Sequence, residues 1–151
     1  MTKQPSQCET YANGDKFWRN NNGVLHRTDG PAVEYVNGDK FWIQNGIRHR
    51  TDGPAVEYIT GDRYWYQNGR RHRTDGPAMD YITGDKYWYQ NGKRHRTDGP
   101  AMDYADGRPA WWINGEICTT AEFAAIVLDK ETAMLWKMSG YCWPFDFGLR
   151  K

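Results

Sequence analysis

The pentapeptide TDGPA stands at four places in this chain, beginning at Thr28, Thr51, Thr74 and Thr97, so the interval is 23 residues each time. The same interval separates His26, His49, His72 and His95, as it does Trp42, Trp65, Trp88 and Trp111, and Tyr35, Tyr58, Tyr81 and Tyr104. A strict period of this length marks a stacked repeat, in which each unit completes its core only against its neighbours. An earlier, degenerate copy, YANGDKFWRNNNG, is one residue longer in its Asn-rich turn and sets Trp18 24 residues before Trp42.

Within a copy, AMDY and KYWYQ alternate in the manner of short strands, separated by ITGD and followed by Asn-Gly, which supplies the positive φ of a tight turn. This predicts one β-hairpin per copy, with RHRTDGPA turning the chain toward the next. Two strands about 4.8 Å apart advance the sheet by roughly 9 to 10 Å per copy, so like residues form rows. The predicted fold is mainly β, a single-layer antiparallel hairpin array of about five copies over residues 11–117, preceded by a flexible N-terminus at 1–10. Residues 118–151 read as a helical cap. Thr119 and Glu122 form a capping box, and Phe123, Ile126, Val127, Met134, Leu135 and Met138 recur at helical intervals. This helix and the tail YCWPFDF would cover the last strand edge. The first edge has no such cover and is open to a homodimer contact, or is simply polar.

Composition narrows the function classes. A formal charge of +1 over 151 residues excludes bulk nucleic-acid binding. Neither a signal-type apolar run nor a membrane-length segment is present, which predicts a cytoplasmic protein. Cys8, Cys118 and Cys142 have no metal-like spacing and read as reduced thiols. Eight Trp, ten Tyr and five Phe suit thin units that bury rings in place of aliphatic chains.

Four copies of one His, Arg and Asp set argue for scaffold over catalysis. Histidines about 9 to 10 Å apart cannot share one ion, and each copy offers too few other ligands for a metal of its own. Arg27, Arg50, Arg73 and Arg96 are expected to pair with Asp29, Asp52, Asp75 and Asp98 or with turn carbonyls. The carboxylate row Glu34, Glu57, Asp80 and Asp103 repeats without a distinctive partner, so no enzyme, cofactor or metal is predicted. The Trp and Tyr rows are expected to stack copy on copy. Positions that change between copies are free of the scaffold. Val24, Ile47, Arg70 and Lys93 form one such set, Leu25, Arg48, Arg71 and Arg94 a second, and Ile43, Tyr66, Tyr89 and Trp112 a third. The predicted binding residues are therefore Arg48, Arg70, Arg71, Lys93 and Arg94 with Tyr66, Tyr89 and Trp112; Trp143 and Phe145 are second choices. The same residues also read as a solvated charged face, or as a place to hold a small anionic ligand such as a signalling nucleotide.

The stretch YWYQNGKRHRTDGPAMDYADG resembles the MORN repeat, which also has a 23-residue period with Tyr, Trp, Asn-Gly and a DG turn; the resemblance covers residues 11–117. It departs at HRTDGPA, where ordinary MORN copies have a His-Gly-x-Gly step. The HR-x-DGPA form is similar to repeat proteins of tailed bacteriophages. That resemblance implies a phage-encoded accessory protein in the host cytoplasm that binds and inhibits a host protein, including an immune-defence component. The wider MORN family implies lipid or scaffold attachment as the alternative.

Overall fold

The computed structural model describes residues 6–127. In chain order its elements are β1 (Gln7–Thr10), β2 (Lys16–Arg19), β3 (Val33–Glu34), β4 (Lys40–Phe41), β5 (Ile43–Gln44), β6 (Ile47–Arg48), β7 (Val56–Glu57), β8 (Arg63–Tyr64) and β9 (Tyr66–Gln67). There follow β10 (Arg70–Arg71), β11 (Met79–Asp80), β12 (Lys86–Tyr87), β13 (Tyr89–Gln90), β14 (Lys93–Arg94), β15 (Met102–Asp103), β16 (Pro109–Ile113), β17 (Glu116–Cys118) and helix α1 (Thr120–Val127). The fold is mainly β, an antiparallel hairpin array ending in a short helix, as the repeat predicts. Eleven strands form one sheet in the order β1-β2-β3-β4-β7-β8-β11-β12-β15-β16-β17, and β5/β6, β9/β10 and β13/β14 form separate two-stranded ladders.

Each inner copy thus holds two hairpins where the sequence predicts one. The division falls at the tryptophan. Trp42 donates its N–H to the carbonyl of Ala55 in the next copy (2.8 Å), while its own carbonyl accepts from His49 N–H (3.1 Å). Because the two groups serve different ladders, the strand bends there. Trp65 and Trp88 repeat the pattern with Ala78 and Ala101. After Trp111 no further TDGPA segment follows, and β16 runs unbroken from Pro109 to Ile113 to carry β17. Ala32, Ala55, Ala78 and Ala101 are all fully buried at these junctions, where a longer side chain has no room.

The core is one ring thick. Tyr11, Phe17, Tyr35, Phe41, Tyr58, Tyr64, Tyr81, Tyr87 and Tyr104 form an unbroken ladder of mostly edge-to-face contacts, with centroids 5.0 to 5.8 Å apart. Such pairs contribute about 0.5–1.5 kcal/mol each beyond their area. Burial pushes the phenol of Tyr87 up to about 12 and that of Tyr64 well above its ordinary value. These phenols stay protonated in the folded chain, whereas in the unfolded chain they ionise near pH 10. Their contribution is therefore present below about pH 10 and lost as the pH rises through the folded values. We expect the melting temperature to fall above about pH 10, with tyrosinate absorbance appearing late, and Tyr87→Phe to relieve part of that fall. A melting temperature level from about pH 9 to about pH 12 would contradict this reading.

On the opposite face the register alternates charge: Lys16, Glu34, Lys40, Glu57, Arg63, Asp80, Lys86 and Asp103 stand successively opposite one another. Opposite charges across strands favour this register, and the face neutralises itself.

At the first edge, the expectation of a flexible stretch through residue 10 is corrected from Gln7 onward. Gln7–Thr10 pairs in register with β2, from Gln7 opposite Arg19 to Thr10 opposite Lys16. At the far end, Thr119 Oγ1 accepts from Glu122 N–H (3.2 Å), and a Glu122 carboxylate oxygen accepts from Thr119 N–H (2.7 Å), closing the capping box. Phe123 is buried against Trp111, with ring centroids 4.5 Å apart. Met134, Leu135, Met138 and the tail with Trp143 and Phe145 lie outside the described residues. Among the described residues no helix is long and apolar enough to cross a membrane.

Candidate functional site

The site is built on the Asn-Gly turns of the small hairpins. Asn45 (φ 49°) and Gly46 (φ 80°) both take left-handed backbone, the geometry of a type I′ turn that matches strand twist. Asn68, Asn91 and Asn114 repeat it. A histidine fixes each turn to the preceding copy: Nδ1 of His26 accepts from Asn45 N–H (3.1 Å), and His49, His72 and His95 serve Asn68, Asn91 and Asn114 in the same way. The histidines are thereby engaged in copy-to-copy contacts. Among the described residues no three His, Cys, Asp or Glu side chains gather as a metal would need.

Behind the turns lies a second fixture. Arg27, Arg50, Arg73 and Arg96 lay their guanidinium groups over Trp18, Trp42, Trp65 and Trp88 at 3.9 to 4.1 Å from the ring centroid. Each donates through Nε to Asp29, Asp52, Asp75 or Asp98 and through Nη1 to the proline carbonyl of its own DGP turn. Hydrogen bonds from Arg50 and Arg73, reinforced by their charge, hold Asp52 and Asp75 below the usual carboxylate range. The expected stacking of Trp upon Trp is corrected. Like rings stand two strand spacings apart, beyond aromatic contact distance, so another group must lie between them. Trp18, Trp42, Trp65 and Trp88 each carry an arginine on the ring face, and Phe41, Tyr64 and Tyr87 stand between the rings of the Tyr row.

The DG glycine is part of this fixture. A Cβ on Gly53 would lie 2.8 Å from Cζ of Arg50, and Gly30, Gly76 and Gly99 are equally close to their arginines. Gly53→Ala should therefore displace Arg50 from Trp42 and destabilise the fold by about 1–3 kcal/mol. In an Arg50→Ala background the same substitution should be nearly neutral, and urea titration of the four-chain cycle checks the coupling.

The variable residues lie along the small hairpins. Tyr66 pairs with Arg71 across one ladder and Tyr89 with Arg94 across the next. Arg48 lies over Tyr66 at 5.4 Å, Arg71 over Tyr89 at 5.3 Å and Arg94 over Trp112 at 4.7 Å, each ring belonging to the following copy. Within a copy, Arg71 Nε donates to Tyr66 OH (3.3 Å) and Arg94 Nε to Tyr89 OH (3.2 Å). Arg48, Tyr66, Arg71, Tyr89, Arg94 and Trp112 thus form one alternating strip of cation and ring across three copies. Arg70 and Lys93, next in the strand to Arg71 and Arg94, fall on the opposite face of their ladders; both are exposed, their stems resting beside Gly92 and Gly115. All eight predicted binding residues therefore belong to one run of hairpins, but Tyr89 is buried in a core cluster with Ala78 and Met79, so its ring seats Arg71 and does not itself face a partner. No Asp or Glu lies within β5/β6, β9/β10 or β13/β14, and among the described residues none of the five cations makes an ion pair.

Two features escape sequence reasoning. Asp15, Asp39, Asp62 and Asp85 each accept the N–H of Val36, Ile59, Ile82 or Ala105 in the next copy at 2.8 Å, locking the large hairpins together. The signal is the Asp that ends every NGD or TGD turn. The other is an open groove of about 590 Å³ between the DG turns at 73–76 and 95–98, with Trp88 among its lining residues. Its arginines, Arg73 and Arg96, are already matched by Asp75 and Asp98. No protein-family model matches this chain, and no curated protein matches it.

Proposed function

We propose that this protein is a non-enzymatic binding protein that docks the strip from Arg48 to Trp112 onto an acidic surface of a partner protein. The observation that supports this reading is that the strip's three cations, Arg48, Arg71 and Arg94, make no ion pair among the described residues and are each fixed by a ring or a hydrogen bond. A guanidinium stacked on a ring keeps in-plane donors free for carboxylates. Side chains already ordered lose little entropy on association. The resemblance to tailed-phage repeat proteins extends the proposal: the partner is a host protein in the bacterial cytoplasm, and the rigid array inhibits it by covering a working surface.

Affinity purification from bacterial lysate tests the proposal, with the full chain set beside its Arg71→Glu/Arg94→Glu variant. One co-purifying protein lost with the double variant supports it; an unchanged set of proteins overturns the choice of surface. The alternation of cation and ring also suits a small anionic ligand with a planar base. That second reading requires a melting temperature that rises with a nucleotide in the absence of any protein partner.

A further inference from the structure

The first edge of the array exposes backbone groups that every inner strand uses. Among the described residues β1 has a strand neighbour on one side only, and all four of its residues are exposed. The register with β2 fixes which groups point outward. Trp18, opposite Cys8, gives its N–H to Ala32 O (2.8 Å) and takes His26 N–H on its carbonyl (2.9 Å), both away from β1. Cys8 and Trp18 are therefore a non-hydrogen-bonded pair, and the N–H and carbonyl of Cys8 face the open side. The alternation carries to Thr10, whereas Tyr11 turns back and donates to Asp15 O (2.9 Å). Gln7–Thr10 contains no Lys, Pro or bulge of the kind that blocks an edge.

We propose that two copies of this chain pair antiparallel through β1, about a two-fold axis at Cys8. Outward groups meet outward groups in registers whose axis lies at Gln7, Cys8, Glu9 or Thr10; an axis at Gln7 pairs only Ser6 to Cys8 among the described residues, a ladder of three. An axis at Glu9 sets two Glu9 carboxylates directly opposite one another, which is destabilising. With the axis at Thr10, Cys8 would have to face Ala12, which already belongs to the turn after β1, and the ladder shrinks to three residues. The Cys8 axis opposes Ser6 to Thr10 and Gln7 to Glu9, twice each by symmetry. Hydroxyl meets hydroxyl, amide meets carboxylate, and no like charges face each other. Arg19 stays on Glu9 (3.2 Å) from one strand behind. The contact is isologous and consumes the open edge of both copies. If the strip binds as proposed above, the dimer presents two strips on one body and gains avidity for a clustered partner; the pairing itself does not depend on that reading.

Sedimentation equilibrium on the full chain should show a mass that approaches twice 17.6 kDa as concentration rises. Cys8→Pro removes an N–H that no bond among the described residues uses, so the fold survives while the two central hydrogen bonds of the dimer are lost. We expect a monomer with an unchanged circular dichroism spectrum. Gln7→Glu places a carboxylate opposite Glu9 twice and should raise the dissociation constant by about 2- to 30-fold at low salt, with recovery at high salt. In a Cys118→Ser/Cys142→Ser chain, a short bis-maleimide should join Cys8 to its symmetry mate. A chain that stays monomeric at every concentration, a dimer indifferent to both substitutions, or a dimer without the Cys8 crosslink overturns the proposal.

Discussion

Trp42→Ala should reduce folding stability by about 3–5 kcal/mol, more than any other single truncation in the middle of the array. The indole is the seat of Arg50, whose guanidinium lies 3.9 Å from the ring centroid. That same guanidinium donates to Asp52, to the carbonyl of Pro54 and to Glu57. Removing the ring leaves a charged group over a void with its partners misplaced, so the loss includes the DG turn as well as the transfer energy of the indole. Because Trp42 N–H also marks the junction with Ala55, the damage falls between two copies. In a one-dimensional array, such a break uncouples the units on either side. Urea unfolding should therefore show a lower midpoint and also a lower m-value, the sign that cooperativity has been divided. Trp42→Phe, which keeps a smaller ring face for Arg50, should recover part of the loss. An m-value unchanged alongside a shift below about 1 kcal/mol would mean that Arg50 is held by its hydrogen bonds alone.

What the sequence makes legible follows from the period. A side chain that recurs every 23 residues must form a row in any stacked fold, so the array, the rows and the turns can be read before any coordinates. The capping box is equally readable, because Thr119 and Glu122 need only local backbone to find each other. The bend at Trp42 is not. It depends on which ladder takes the N–H and which the carbonyl, and both partners lie at least seven residues away, at Ala55 and His49. What fills a row is likewise hidden, since a 23-residue spacing fixes the distance between like rings and not the identity of the group between them. Gln7–Thr10 gives no alternating apolar signal; it becomes a strand because β2 offers it an edge. The variable cations could be chosen from their drift between copies, but the contact of Arg71 with Tyr89 in the next copy required the fold.

Arg71→Glu/Arg94→Glu should weaken partner binding by about 10²- to 10³-fold or more, because fixed basic groups at an interface centre typically count for 2 kcal/mol or more apiece. The variant exchanges two of three cations for anions within a strip that holds no acidic residue of its own. Its effect on folding should be far smaller. Each arginine loses a ring contact of about 0.5–1 kcal/mol and a hydrogen bond to a tyrosine hydroxyl, while the Trp, Tyr and Asp fixtures that join the copies are untouched. Binding and stability thus separate, and calorimetric affinity should be measured beside the melting temperature of the same samples. Arg71→Lys/Arg94→Lys sharpens the contrast. It preserves charge but surrenders the planar fork and its stacking, so the association rate and its salt dependence should persist while dissociation quickens. If both pairs bind alike, charge alone is recognised; if reversal leaves affinity intact, the partner engages a different face. The loss expected with Lys is intermediate because two contributions act in sequence: the uncompensated field brings an acidic surface in, and the guanidinium groups, already fixed on Tyr89 and Trp112, hold its carboxylates in place.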